Sequence, residues 1–186
     1  MAWKDLTLEE YTKALAQPNA APAGGSACAV AGALAASLAA MTAALGMKAG
    51  AHAMDVLQQE AVSLQQSLLQ AAQEDSDAYT AYMEARRRAR IAEEWAAPDE
   101  ALAYASQVPL DVAAQTLRVI ELTREALPHC PPHARPDGAA GISLAQAAVR
   151  ASLLNARANA MHLSNADLKK DILSQASALE SKLERS

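Results

Sequence analysis

From Pro22 to Met47 the chain has no charged and no aromatic side chain, and alanine is the commonest residue of the run. The stretch "PAGGSACAVAGALAASLAAMTAALGM" is long enough to cross a bilayer, which takes about 20 apolar residues. Its composition points elsewhere. Alanine is nearly neutral toward lipid, and Pro22, Gly24, Gly25, Ser26, Ser37 and Thr42 dilute the run further, whereas spans draw on Leu, Ile, Val and Phe. The reading is a buried, small-residue helix whose neighbours approach its backbone closely.

The rest of the chain agrees. Of its 186 residues, 52% are hydrophobic but only 3% aromatic, with no Phe, so bulk comes from Leu, Val and Met set among many alanines. That is enough for one domain with a full core. No segment alternates with period two and β-branched residues are sparse, so no strand is expected. The expected fold class is all-α, a single-domain antiparallel bundle of about six helices over residues 1–186, with one long central Ala-rich helix. A net charge of −5 argues against nucleic acid as a partner. Cys28 and Cys130 form no C-x-x-C pair and point to a reducing, cytoplasmic setting. The opening "MAWKDLTLEEY" has early acids and no apolar core of a secretory signal.

The first helix is expected over Leu8–Gln17, capped by Thr7 with Glu10 three residues on, and ended by Pro18. After a loop through Gly25, the second runs from Ser26 to Met47, and Gly50 breaks the pattern. The third spans Ala51–Arg88, followed by a charged, solvated connector, "RRRARIAEEWAAPDE". The fourth starts near Pro98 and is expected to kink or break at Pro109, which lacks an N–H and clashes with the preceding turn. It resumes from Leu110 to Leu127, and a loop "PHCPPHARPDG" follows. The fifth helix spans Gly138–Leu163 and the sixth Ala166–Leu183, capped by Ser164 or Asn165.

In the third helix Leu57, Ala61, Leu64, Leu68, Ala71, Asp75, Ala78 and Tyr82 are spaced alternately four and three apart and share one face. Asp75 falls within this apolar stripe; its acidic neighbours Glu74 and Asp77 fall off it. A carboxylate facing a core is costly to desolvate unless paired, and burial raises its pKa. Asp75 is therefore either a structural acid tied to a neighbouring helix or a site residue. The fifth helix has a stripe of Ile142, Ala145, Val149, Ser152, Ala156, Asn159 and Leu163, with Asn155 one turn before Asn159. Inward amides must find partners, by tying helices together or by lining a pocket that reads the edge of a polar heterocycle.

Two shorter motifs carry less. Gly24-Gly25-Ser26 opens a helix, where free N–H groups favour an anion, yet by itself it reads as a tight turn plus cap. "HCPPH" sets His129, Cys130 and His133 at metal-like spacing, but a zinc site needs further ligands and no second cluster stands in the sequence, so no metal site is assigned. Asp137 precedes a glycine and a helix, the place of an N-cap.

Several ordered motifs together are more specific. "LTLEEYTKALAQPNAAPAGGSACAVAGALAASLAAM" resembles the N-terminal signature of the cyclodeaminase/cyclohydrolase family, S-V-E-E-F-x-x-x-L-A-S-P-x-P-x-P-G-G-G-S-A-A-A. That family includes the cyclodeaminase domain of formiminotransferase-cyclodeaminase and bacterial methenyltetrahydrofolate cyclohydrolases. "DSDAYTAYMEA" resembles its D-x-x-A-F segment at Asp75, and "SQVPL" its V-P-L motif around Pro109. "PDGAAGISLAQAAVRASLLNARANAMHL" resembles a helix that ends in N-V-x-x-N, matching Asp137, Asn155 and Asn159. The chain departs from the pattern in that Ala23 replaces the first glycine, Pro136 replaces a serine, and Ala44 and Gly46 replace an Asn and a Thr. The lysine run after the second helix shrinks to Lys48.

The resemblance implies an all-helical homodimer with a folate cleft near the glycine turn, built from helices of both subunits. It implies chemistry at the N5/N10 bridge of tetrahydrofolate, either hydrolysis of a methenyl bridge or closure of a formimino group with loss of ammonia. The tetrahydrofolate derivative is then the substrate and no prosthetic group is called for. Asp75 becomes the proton-handling residue with Lys48 as an electrostatic partner, and Gly24, Gly25, Ser26, Asp137, Asn155 and Asn159 become substrate-binding residues. The alternative is a non-catalytic helical dimer that holds a folate-like or other small acidic ligand.

Overall fold

The computed structural model describes the backbone of residues 2–92 and 96–186, and the side chains of these except at 91, 92, 96 and 97. Six helices carry the fold: α1 (Leu8–Leu15), α2 (Gly24–Lys48), α3 (Met54–Ala92), α4 (Ala96–Ala126), α5 (Arg135–Ala160) and α6 (Ala166–Arg185). Short 3-10 turns stand at Trp3–Asp5, Leu127–His129 and Pro132–Ala134. The expected caps are present. Thr7 and Glu10 close a reciprocal capping box on α1, and Asn165 accepts from the N–H groups of Asp167 and Leu168 to start α6.

The uncharged run is the packing centre. Mean hydropathy over its most apolar window reaches 1.9, yet 56% of that window is buried against the rest of the chain. Ala29, Ala35 and Ala36 are fully enclosed. The direction of each neighbour follows from what lies over its glycines. On α3, Asp75 stands over Gly25, Leu68 over Gly32 and Met54 over Gly46, so the two helices are antiparallel. On α5, Asn155 stands over Gly24, while Leu38 and Thr42 of α2 cover Gly141 and Gly138, so α5 is also antiparallel to α2. Thr116 lies against Gly32 and His129 against Gly46, so α4 runs parallel to α2. Gly32 is a tight packing point within the core: a Cβ there would lie 2.7 Å from the Thr116 hydroxyl oxygen. Helix α6 closes the bundle over α4 and α5, tied by Arg157 donating to Glu180 at 2.6 Å and by Asp99 accepting from the backbone of Ser164 and Asn165.

Four sequence expectations are corrected. Gly24 and Gly25 belong to the first turn of α2, whose N-cap is Ala23, and not to a loop. The charged connector over 86–100 is helical to Ala92 and again from Ala96, and residues 93–95 lie outside the described residues. Its Arg, Ala and Glu content favours helix as much as it favours solvent. Pro109 does not end a helix, because α4 continues through it. Finally, α5 starts at Arg135 with Ala134 as N-cap, which makes Asp137 its third residue. There Asp137 complements the helix dipole instead of capping it.

Candidate active site

The chain's small residues and its inward acid meet at the N-terminal end of α2. A cavity of about 350 Å³ is lined there by Asn19, Ala23, Gly24, Gly25, Asp75, Ser76, Tyr79, Met83, Ala105, Asn155 and Asn159. Helices α2, α3, α4 and α5 all reach it.

Asp75 occupies the space that a side chain at residue 25 would need. A Cβ on Gly25 would lie 2.0 Å from Asp75 Oδ1, so only glycine lets the carboxyl rest on the α2 backbone. Burial pushes Asp75 up from 3.8 to about 6, and the Ser26 backbone N–H pulls against that rise. Ser26 is itself buried, with its hydroxyl 3.0 Å from the Tyr11 phenol oxygen. Burial raises the Tyr11 phenol too, and Asp75 nearby adds to the rise. Glu74 and Asp77, the acids off the stripe, are exposed.

The wall opposite Asp75 is α5. Asn155 donates its amide to the Ala151 carbonyl at 3.0 Å and to Cys28 Sγ at 3.7 Å. Asn159 donates to the Ala105 carbonyl of α4 at 2.9 Å. Cys28, buried beneath Asn155, is held as a thiol chiefly by burial and further by the nearby Asp75 charge, against opposing contacts from Ser152 and Asn155. The first turn of α2 has no side-chain cap, so its leading N–H groups add donors to a cavity otherwise rich in oxygen acceptors.

Two proposed site residues lie elsewhere in their own chain. Lys48, exposed, is the last residue of α2. At 1.5 Å per residue it stands about 34 Å along the axis from Gly25. Asp137, also exposed, is about 27 Å from Asn155 along α5 by the same rise. Antiparallel packing gathers both at the end of the bundle remote from Asp75. The "HCPPH" residues divide as well: Cys130 is buried and donates to the Leu127 carbonyl, while His129 and His133 are exposed. Among the described residues no three His, Cys, Asp or Glu side chains are grouped to hold a metal ion.

Sequence reasoning had not singled out Tyr79, Cys28 or Tyr11. Tyr79 follows Asp75 by four residues and Cys28 follows Gly25 by three, so both share a helix face with a residue already chosen. Tyr11 gave no such signal, because it reaches Ser26 only through the packing of α1.

Comparison with known proteins gives the family and the fold. The family profile described as formiminotransferase-cyclodeaminase matches residues 7–178. The fold matches the crystal structure of formiminotetrahydrofolate cyclodeaminase from Thermotoga maritima with a TM-score of 0.90, over 97% of this chain and 91% of that one, at 22% sequence identity. No curated protein matches the chain.

Proposed function

The chain belongs to the formiminotransferase-cyclodeaminase family, and on that premise we propose that it is a cytoplasmic one-carbon folate enzyme acting on the N5/N10 bridge of tetrahydrofolate. The reaction is either cyclodeamination of the formimino group or hydrolysis of the methenyl bridge. In cyclodeamination N10 attacks the formimino carbon and ammonia leaves. In hydrolysis water adds to the methenyl carbon and one C–N bond opens. Each path takes a proton from the attacking atom and delivers one to the departing nitrogen.

The observation that carries the reading is Asp75, seated on the Gly25 backbone inside the cleft and titrating near 6. A carboxyl with that pKa populates both protonation states around neutrality, which suits a group that accepts a proton in one step and returns it in the next. Asn155 and Asn159 orient the substrate, the Ser26 N–H holds the Asp75 carboxyl, and the N–H groups at Gly24 and Gly25 face charge that develops near the helix end.

Lys48 and Asp137 enter this scheme only through a second copy of the chain. Helix α2 leaves Leu34 and Met41 exposed on its outer face, next to an apolar groove formed with Leu6, Leu8, Val30 and Leu69. An antiparallel homodimer across that face sets the Lys48 end of one α2 beside the Gly24 end of the other.

One observation favours the non-catalytic reading: no Lys or Arg is among the described residues lining the cleft. The test follows loss of methenyltetrahydrofolate absorbance, and ammonia release from formiminotetrahydrofolate, with wild type and Asp75→Asn. Turnover of one substrate, reduced about a hundredfold or more in the variant, assigns the reaction and the acid. Tight binding of both folates by calorimetry with no turnover assigns a binding protein.

A further inference from the structure

The two cleft amides are held by their NH2 groups, and the holders are unusual. A proline inside a helix leaves the carbonyl four residues earlier without its backbone donor. For Pro109 that carbonyl belongs to Ala105, the same atom that accepts from Asn159 Nδ2 at 2.9 Å. The helical irregularity in α4 thus supplies a buried acceptor that an ordinary residue at 109 would have consumed. On the neighbouring turn of α5, Asn155 spends its two N–H bonds on Ala151 and on Cys28. Neither Asn155 Oδ1 nor Asn159 Oδ1 accepts a bond from a described residue, and both side chains line the cavity.

We propose that Pro109 and Cys28 are positioning residues that fix the Asn159 and Asn155 amides with their carbonyl oxygens toward the cleft, so that the cleft selects a ligand edge of adjacent N–H donors. An amino-lactam edge, a ring N–H flanked by an exocyclic amine, is that class. A carbonyl in place of the amine would meet a fixed oxygen and leave two acceptors unpaired, and a site built to pair with a donor rejects the analogue that lacks it. The ligand assignment rests on the folate reading, since tetrahydrofolate carries such an edge; the orientation of the amides does not.

The test has two arms. In isotope-labelled ligand-free protein, the side-chain amide protons of Asn155 and Asn159 exchange slowly with water. Pro109→Ala restores the N–H that competes for Ala105, and speeds exchange at Asn159 at least tenfold while the thermal midpoint holds or rises. Cys28→Ala does the same at Asn155, and decides the point by itself if the proline variant does not fold. In the second arm, calorimetry compares tetrahydrofolate with its 2-oxo analogue. Wild type prefers tetrahydrofolate at least tenfold, and Pro109→Ala narrows the preference to less than threefold. Equal affinities in wild type overturn the selection while leaving the folate reading intact. Unchanged exchange in both variants overturns the positioning. If neither ligand binds, the folate reading and the ligand assignment fall together, and the exchange rates still decide the orientation.

Discussion

The two ends of α2 differ in kind although one uncharged sequence connects them. At the Gly24 end an acid lies on the helix backbone, partly out of water, with its pKa near 6, and four helices line one cavity whose polar side chains come from α3, α5 and the loop residue Asn19. At the Lys48 end the charged groups, Lys48 and Asp137, stand in solvent. The difference teaches that charge by itself does not mark a site. The site is where packing leaves a polar group unable to reach bulk water and still open to a cavity.

The comparison breaks most sharply at Gly25. Gly25→Ala puts a Cβ 2.0 Å from the place now held by Asp75 Oδ1, so the carboxyl has to move. Misplacing a reacting group by about 1 Å costs about a hundredfold in rate, and overpacking of this kind costs about 1–3 kcal/mol in stability. Turnover assays and urea unfolding check the two effects separately. Activity within twofold of wild type would remove Asp75 from the mechanism.

The next effect is on stability against pH. Burial raises Asp75 from 3.8 to about 6, so between these values the native state binds more protons than the unfolded state. Stability carried by this group is therefore greatest below about pH 4 and declines as pH rises through about 6, by as much as about 3 kcal/mol. Asp75→Asn cannot titrate. The difference between its unfolding free energy and that of wild type, followed from pH 4 to pH 7, isolates the contribution, and a constant difference would show that the acid is not desolvated.

At the other end of α2, Lys48→Ala is expected to leave stability within about 0.5 kcal/mol, as exposed substitutions do. If a second copy brings Lys48 to the cleft, turnover falls about tenfold, the scale of about 1.4 kcal/mol. Mixing inactive Asp75→Asn subunits with Lys48→Ala subunits then restores activity, because hybrid dimers hold one site with both native residues. Absence of recovery in verified hybrids would confine the site to one chain. The smallest effect belongs to the solvated flank. Arg118 bridges Glu60 at 2.7 Å with both side chains 37% exposed, so Arg118→Ala is expected to cost no more than about 1 kcal/mol and to leave turnover unchanged.

What was legible in the sequence was local. The alternation of four and three placed Asp75 on the inward face of α3 because helix geometry alone fixes which residues share a face. The caps at Thr7 and at Ser164 or Asn165 were legible because their partners lie within three residues, and the structure takes Asn165. The connector over 86–100 was misread because a run of charges describes solvation and not backbone conformation, and its residues are good helix formers. Asp137 stands just before Gly138 and a helical pattern, the place of an N-cap, yet the helix starts two residues earlier, because proline is tolerated in a first turn, where its N–H has no partner to lose.

The sequence by itself therefore determined that the chain is helical, which helix is the packing centre, and which acid cannot easily be solvated. Only the tertiary structure decided which end of α2 holds the cavity, that Tyr11 meets Ser26, and that the carbonyl freed by Pro109 meets an amide 54 residues away. Those contacts join segments far apart in the chain, and their partners are fixed by the direction in which each helix packs. Spacing within a helix carries no information about that direction.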